Sequence, residues 1–270
     1  MLPISFLTDY GLRDEFVGVC HGVMQRIAPG VLIIDVAHEL PRHDVRIGAL
    51  TLQNAIPYLP GGVHLAVVDP GVGADRRAVA LRCEDGNLLV GPDNGLLWPA
   101  AQVCGGVVQA VDVGHSPHRL EPVSATFHGR DLFAPVAAHL ALGEPFEEAG
   151  EHLDPASLAT LDLPASTVSE RRVRTHVLAV DRFGNLQLNL RGSDLRAAGF
   201  EHGERLEVLS RRRTGEALYG RAYGDVGRGQ AVILEDSSGR VAIAVNQGKA
   251  AGALGVAANA ELVLQPADDH

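Results

Sequence analysis

The stretch HLAVVDPGVGADRRAVALRC, residues 64–83, joins two apolar runs through a turn that contains proline and glycine. Short apolar runs bounded by Pro and Gly are typical of buried β-strands. The first run ends on Asp69, and the adjacent Pro70 and Gly71 restrict the backbone while leaving room for a ligand. The stretch therefore predicts two buried strands, with a carboxylate at the end of the first and Arg76 just before the second.

Strand-like and helix-like segments alternate on both sides of this stretch. The predicted strands are residues 3–9, 31–37, 62–69, 77–83 and 87–97. The predicted helices, which have apolar residues at helical spacing, are residues 15–30, 44–60 and 129–143. This alternation predicts an α/β fold, in which an N-terminal α/β sandwich-type domain, residues 1–155, has a mostly parallel sheet with helices on its faces.

The composition and hydrophobic pattern of the sequence change in its second half. Residues 156–172 are rich in Pro, Ser and Ala and predict a linker. Short alternating runs separated by Gly and Asp turns follow, and they predict a small antiparallel β-barrel or β-sandwich domain over residues 173–270, of which we favour the barrel. These seven predicted strands are residues 175–181, 186–190, 205–210, 217–223, 230–236, 240–246 and 261–265.

The composition favours an enzyme that acts on small molecules. The net charge of −10 argues against nucleic acid and anionic membranes as partners. No apolar run is long enough to span a membrane, and the N-terminus lacks the basic start of a signal peptide, so we expect a cytoplasmic protein. Cys20, Cys83 and Cys104 form no C-x-x-C motif and are expected to be reduced thiols. The one lysine, Lys249, lacks the context of a P-loop.

Three aspartates lie at or near the carboxyl ends of predicted strands, where open α/β sheets bind their ligands. They are Asp9, Asp35 and Asp69. An aspartate at a strand end also forms turns or caps helices, so each of them has a structural alternative. The segment FHGRDLF supplies His128, Arg130 and Asp131 just before a predicted helix; taken alone, it favours a structural interpretation in which Asp131 caps that helix and His128 packs.

Two literal motif matches suggest other activities. Asp69–Gly73 fits the D-x-G-x-G loop of Rossmann-type methyltransferases, but Asp75 occupies the third glycine position and a strand is predicted next. His38, His43 and Asp44 suggest a metal phosphohydrolase, which needs a mostly helical bundle. The H-E-x-x-H and G-x-S-x-G motifs are absent, so the sequence predicts no metal ligands and no serine nucleophile.

The segment VDRFGN, residues 180–185, has two interpretations. It could be a plain hairpin with FGN at its tip. Alternatively, Phe183 could stack on a purine while Asn185 hydrogen-bonds to the edge of the base.

Six motifs occur in order along nearly the whole chain: FLTDYGLRDEFVG, VVDPGVG, PDNGLL, TFHGRD, VDRFGN and AVNQGKAA. Together they resemble the S-adenosyl-L-methionine (SAM) hydrolases, also called SAM hydroxide adenosyltransferases, which are relatives of the fluorinases and chlorinases. The resemblance implies an N-terminal α/β domain joined to a C-terminal β-barrel in a homotrimer. Each active site would lie between the N-terminal domain of one subunit and the C-terminal domain of the next.

The implied reaction is attack of water or hydroxide on C5′ of SAM, which releases adenosine and L-methionine without a cofactor or metal. The resemblance assigns the catalytic roles to Asp69, Arg76 and His128. It also implies a set of substrate-binding residues: Asp9 for the ribose, Asp14 and Asp181 for the ammonium group, Phe183, Asn185 and Tyr223 for the adenine, and the segment around Asn246 for backbone contacts.

The halogenating relatives carry other residues in place of the aspartate and the histidine. Asp69 would repel a halide, so we expect water as the nucleophile. His43 stands where those enzymes carry an aromatic residue near the ribose. Arg76 should keep Asp69 ionised, which makes His128 the expected proton acceptor. The alternatives are a protein that binds SAM or adenosine without turnover, a halogenase and a methyltransferase.

Overall fold

The computed structural model of the chain describes residues 1–267. The chain consists of two compact units: unit 1 ends at Leu161 and unit 2 begins at Asp162. The division falls inside residues 156–172, the segment that the sequence predicts to be a linker.

Unit 1 contains a seven-stranded sheet in the order β2-β1-β3-β5-β4-β6-β7. Its strands are β1 (Ile4–Thr8), β2 (Ile33–Ala37), β3 (Val63–Val67), β4 (Ala78–Cys83), β5 (Leu88–Pro92), β6 (Val107–Asp112) and β7 (Glu151–Leu153). The strands β2, β1, β3 and β5 are parallel, whereas β4, β6 and β7 are antiparallel to their neighbours. The predicted α/β fold is confirmed, and the parallel strands form the side of the sheet from β2 to β5.

The reversal at β4 follows from its short connection to β5. Only residues 84–87 join the two strands, and Gly86 in this turn has a φ of 88°. A parallel neighbour would need a crossover of a dozen or more residues, so these strands can only pair as an antiparallel hairpin.

Helices cover both faces of the sheet. They are α1 (Phe16–Ile27), α2 (Val45–Ala55), α3 (Trp98–Val103) and α4 (Ala134–Leu142). Successive side chains of a strand point to opposite faces. Accordingly, Phe6 of β1 packs in a core with residues of α1 and α4, and the adjacent Leu7 packs in a second core with residues of α2 and α3.

The predicted helix over residues 129–143 has two parts. It begins as a π-helical turn, Gly129–Phe133, and continues as α4. Gly143 ends it in the left-handed region with a φ of 92°, as glycine commonly does after a helix. Local π-helical turns are frequent at functional sites.

Unit 2 contains eight strands, seven of which form a closed β-barrel. Its strands are β8 (Thr167–Ser169), β9 (Arg172–Val180), β10 (Leu186–Arg191), β11 (Arg205–Ser210), β12 (Thr214–Tyr219), β13 (Ala231–Glu235), β14 (Arg240–Val245) and β15 (Glu261–Pro266). Pairing of β9 with β10 closes the barrel, and β8 adds to its outside as a partner of β9. The predicted antiparallel barrel is confirmed, although β12 and β13 are parallel.

The interior of the barrel follows from alternation along its strands. Leu186, Leu188 and Leu190 of β10 are all buried, while the residues between them are partly exposed. Two short helices, α5 (Gly192–Ala197) and α6 (Ala250–Leu254), complete unit 2. Across residues 1–267, no helix combines the length and the hydropathy required to cross a bilayer.

Candidate active site

A cavity of about 320 Å³ lies in unit 1 beyond the carboxyl ends of β1 and β3. Ligands bind at this edge in open α/β sheets. Five of the residues singled out from the sequence line it: Asp9, Asp14, His43, Asp69 and His128. Aromatic side chains line it as well, namely Tyr10, Phe16 and Phe127. The cavity thus combines an apolar wall with carboxylates.

Asp69, Arg76 and His128 form one hydrogen-bonded chain. The Nε of Arg76 donates to Asp69 Oδ2 at 2.9 Å, and its Nη2 donates to the same oxygen at 2.5 Å. The same Nη2 also donates to His128 Nδ1 at 2.7 Å. The carboxylate and guanidinium side chains are only 5% and 12% exposed, which strengthens their interaction by excluding water. A single arginine therefore holds both the carboxylate and the imidazole.

The turn after β3 brings these three side chains together. Its backbone is closed by hydrogen bonds from Val72 N to Asp69 O at 3.3 Å and from Ala74 N to Gly71 O at 3.0 Å. Gly73 has a φ of 79°, and a Cβ there would lie 2.5 Å from the carbonyl oxygen of Ala125. Only glycine permits this close approach, which places the turn against the segment that carries His128.

The tautomer of His128 follows from its partner. Arginine can only donate hydrogen bonds, so Nδ1 of His128 accepts and its proton lies on Nε2. Burial lowers the pKa of His128, and the charge of Arg76 lowers it further. His128 is therefore a neutral imidazole with a donor at Nε2. This geometry does not support the expected role of His128 as proton acceptor, because neither ring nitrogen is free to take a proton.

Tyr10 is a cavity residue that the sequence reasoning missed. A Cβ on residue 129 would lie 2.1 Å from the Tyr10 hydroxyl oxygen, so the phenol occupies the space that any side chain at Gly129 would need. Burial raises the pKa of Tyr10 well above its usual range, and Cys20, Asp9 and Asp69 add to this effect. The hydroxyl therefore stays protonated. The Tyr10 ring also packs edge-on against Phe127, with 5.8 Å between centroids.

One oxygen of Asp9 is held by the backbone of the loop after β2. Its Oδ2 accepts a hydrogen bond from the backbone N of His43 at 2.7 Å. His43 adopts a φ of 64°, and it lines the cavity together with Asp9 and the exposed Asp14. The position that we associated with the halogenase aromatic residue thus contributes a backbone donor to Asp9.

Other candidate residues of unit 1 have structural partners. The Asp44 carboxylate caps α2 by accepting from Ile47 N at 3.0 Å. The expectation that Asp131 caps a helix is wrong. Its carboxylate accepts from Ser124 N at 2.8 Å and pairs with Arg130, which ties the preceding loop to the π-helical turn.

In unit 2, Asp181, Phe183 and Asn185 lie in the hairpin between β9 and β10, as the hairpin interpretation predicts. Asp181 Oδ1 accepts from the backbone N of Phe183 and of Asn185, both at 2.9 Å. Asp181 Oδ2 accepts from Asn185 Nδ2 at 2.8 Å. The carboxylate therefore shapes the turn, and Phe183 at the tip of the turn is 59% exposed.

The remaining two candidates of unit 2 lie outside this hairpin. Tyr223 is half exposed at the start of a short 3₁₀ helix, Tyr223–Asp225. Asn246 uses its side-chain nitrogen to donate to Val226 O at 2.7 Å, which holds the neighbouring loop.

Two family models match the chain: the SAM hydroxide adenosyltransferase N-terminal domain over residues 4–150 and the corresponding C-terminal domain over residues 175–263. The chain belongs to the SAM hydroxide adenosyltransferase family. Among members with curated names, the (R)-S-adenosyl-L-methionine hydrolase of Salinispora tropica is 51% identical over 253 residues, which cover 94% of each chain. The enzyme of the same name from Thermus thermophilus is 41% identical over 95% of this chain and 96% of its own.

A fluorinase and a solved structure are also similar to this chain. A fluorinase of an Actinoplanes species is 31% identical over 90% of each chain. A crystal structure of an uncharacterised conserved protein from Thermotoga maritima superposes with a TM-score of 0.91 at 36% identity, covering 97% of this chain and 99% of that one. The methyltransferase interpretation is not supported, because the turn after Asp69 leads into strand β4 rather than a helix. Membership of the SAM hydroxide adenosyltransferase family instead indicates an enzyme that processes SAM.

Proposed function

We propose that this protein hydrolyses SAM to adenosine and L-methionine by attack of water on C5′. The observation that carries the proposal is the chain of Asp69, Arg76 and His128 at the cavity. Relatives that align over nearly the whole chain are named (R)-S-adenosyl-L-methionine hydrolase, which supports hydrolysis of SAM.

The chemistry requires a positioned nucleophile more than an activated leaving group. The bond from C5′ to the sulfonium breaks with its electron pair going to sulfur, which leaves as a neutral thioether. Such a leaving group needs no proton and no Lewis acid, so we propose a reaction without a metal or cofactor. Water is a weak nucleophile, and holding it in line with the breaking bond can supply about 7–11 kcal/mol of the barrier.

We assign the following roles to the residues of the cavity. Asp69 accepts one hydrogen of the water, and His128 Nε2–H donates to its oxygen. The remaining lone pair then points at C5′. As the new bond between oxygen and C5′ forms, the proton of the water passes to the Asp69 carboxylate and from there to solvent. Arg76 fixes both partners and keeps His128 in the tautomer that donates at Nε2.

The rest of the cavity suits the remainder of the substrate. Asp9, which uses Oδ2 to accept from His43 N, can offer its other oxygen to the ribose hydroxyls. Asp14 is exposed at the cavity and can pair with the ammonium group. A carboxylate as buried as Asp69 repels a halide, which favours water over fluoride or chloride.

We further propose a cytoplasmic homotrimer, as the family resemblance implies. Asp181, Phe183, Asn185, Tyr223 and the segment around Asn246 would then serve a subunit other than their own. The exposed ring of Phe183 is available for stacking on adenine. The free, buried cysteines support a reducing compartment.

A product assay tests the function. The purified protein is incubated with SAM alone, and the products are separated by chromatography. We expect equal amounts of adenosine and methionine, and a loss of at least about 10²-fold in rate for Asp69→Asn. Asp75→Asn, an exposed carboxylate in the same turn, serves as the control and should keep its rate. Binding of SAM without products would instead favour a binding protein, and 5′-halogenated adenosine formed in chloride would favour a halogenase.

A further inference from the structure

A second cluster of ligand-type side chains lies in unit 1 away from the cavity. It consists of His21 on α1, Asp35 on β2 and His38 just after β2. Both imidazoles contact the same carboxylate oxygen: His21 Nε2 lies 2.8 Å and His38 Nε2 lies 2.9 Å from Asp35 Oδ1. None of these residues takes part in the proposed reaction.

We propose that His21, Asp35 and His38 bind one divalent transition-metal ion of the zinc class. Two imidazole nitrogens and one carboxylate oxygen are donors that such ions prefer, and three protein ligands leave a fourth position for water. In a tetrahedral site, neighbouring ligand atoms lie about 3.3 Å apart. The observed separations are shorter by about half an ångström, so small side-chain movements would admit the ion. Each imidazole would then bind it as the neutral tautomer, with its ring proton on Nδ1 instead of Nε2.

Neighbouring groups already orient the buried ligand. His38 is only 3% exposed in its side chain, and its Nδ1 lies 2.8 Å from the hydroxyl of Thr8. A hydrogen bond at the second ring nitrogen is the usual support of a metal-binding histidine. The His38 ring also packs edge-on against Phe6, with 4.8 Å between centroids. These contacts keep Nε2 pointed at Asp35.

The site is open to solvent on its other side. The side chain of Asp35 is 47% exposed and that of His21 is 31% exposed. An ion can therefore enter, and a water molecule can complete its coordination. The Asp35 carboxylate contacts both imidazoles through one oxygen, so it already faces the position that the ion would occupy.

A comparison within unit 1 shows that clustering alone is not sufficient. His118, His139 and Glu144 also lie together, with the two rings stacked at 4.3 Å and only 16° between their planes. An imidazole binds a metal through a lone pair in the plane of its ring. Two nearly parallel planes place no common ion on both lone pairs. This second cluster therefore provides a matched control.

A bound ion would fasten α1 to β2 and to the segment that supports Asp9. The carbonyl of His38 accepts from Gly11 N at 2.7 Å, and its side chain holds Thr8, so the turn that carries Asp9 is fixed from both ends. An ion that binds only the folded chain raises its melting temperature by mass action.

The test uses the full chain, stripped of metal by a chelator and dialysed. Zinc chloride is titrated in while the bound ion is counted, and cobalt chloride is titrated in while the visible absorption of four-coordinate cobalt is recorded. The wild type and His139→Gln should each bind zinc, and each should show the four-coordinate absorption when cobalt is bound. His21→Gln and Asp35→Asn should lose one equivalent per chain or bind at least about tenfold more weakly.

Thermal melting separates binding from folding. Without metal, His21→Gln should melt close to the wild type, because the side chain is partly exposed. Zinc should raise the melting temperature of the wild type and of His139→Gln but not that of His21→Gln. The proposal is overturned if His21→Gln and Asp35→Asn bind zinc and cobalt as the wild type does, or if His139→Gln loses the same ion. SAM turnover enters none of these readouts, so the result is independent of the proposed function.

Discussion

Replacing Gly129 with alanine probes the contact that shapes the wall of the cavity. The residue begins a π-helical turn, a conformation that alanine adopts easily, so the backbone itself presents little obstacle. The obstacle is the hydroxyl of Tyr10, which would lie 2.1 Å from the new methyl group. To restore an ordinary contact of about 3.5 Å, the phenol must retreat by roughly 1.4 Å.

The expected cost follows from this displacement. A misplacement of about 1 Å in a catalytic site can lower the rate by about 10²-fold, which corresponds to about 2.7 kcal/mol of activation free energy. Overpacking should also destabilise the fold by about 1–3 kcal/mol. We therefore expect kcat for SAM hydrolysis to fall by about 10²-fold in Gly129→Ala, with a modest decrease in melting temperature.

The double variant Tyr10→Phe/Gly129→Ala distinguishes this contact from general damage. Removing the hydroxyl leaves the ring carbon Cζ as the nearest atom, at 3.1 Å from the new methyl group, so the clash is largely relieved. The double variant should hydrolyse SAM faster than Gly129→Ala alone. Gly18→Ala on α1 meets no atom within 4 Å and should keep its rate. Wild-type kcat in Gly129→Ala, or additive losses in the double variant, would refute the reasoning.

Three further predictions concern the same unit. Arg76→Lys should lower kcat by at least about 10²-fold with little change in the KM for SAM, because a single ammonium cannot hold both Asp69 and His128; a wild-type kcat would contradict it. Gly73→Ala should also lower kcat, because its methyl group would lie 2.5 Å from Ala125 O. Gly86→Ala is the control: Gly86 has a similar φ of 88°, but its new methyl group would meet no atom within 4 Å, so this variant should lose stability only. Burial lowers the pKa of His64, His118 and His128, so the unfolded chain binds more protons than the folded chain below about pH 6.5. The melting temperature should therefore fall between pH 7.5 and pH 5.5, and a rise over this interval would show that other groups dominate.

The elements that the sequence predicted are those with a hydrophobic pattern long enough to show its period. Seven alternating runs predicted all seven strands of the barrel, because each strand has an inner face that must be apolar. The helices α3, α5 and α6 were not predicted, since five or six residues do not complete two turns and show no clear period. The direction of β4 depends on the length of its connection to β5 rather than on its own residues.

The candidate site was predictable only in part from local sequence. Asp69 and Arg76 lie in one turn, and the turn chemistry pointed to both residues. His128 lies 52 positions beyond Arg76 in the sequence. Its pairing with Asp69 and Arg76 was therefore predicted only from the resemblance to the family. The prediction that Asp131 caps a helix was wrong, because its carboxylate accepts a hydrogen bond from the backbone N of Ser124 in the preceding loop. The contact between Tyr10 and Gly129 was not predicted, because its only trace in the local sequence is a glycine.

Running the reaction in water enriched in ¹⁸O tests the central claim most directly. Attack of water on C5′ forms the bond between that oxygen and the ribose carbon, so single-turnover products separated by mass spectrometry should show the heavy oxygen in the 5′-hydroxyl of adenosine and none in methionine. The yield of labelled adenosine should fall with the rate in Asp69→Asn. Adenosine without the label, or label in the methionine fragment, would contradict the proposal that the cavity directs water to C5′.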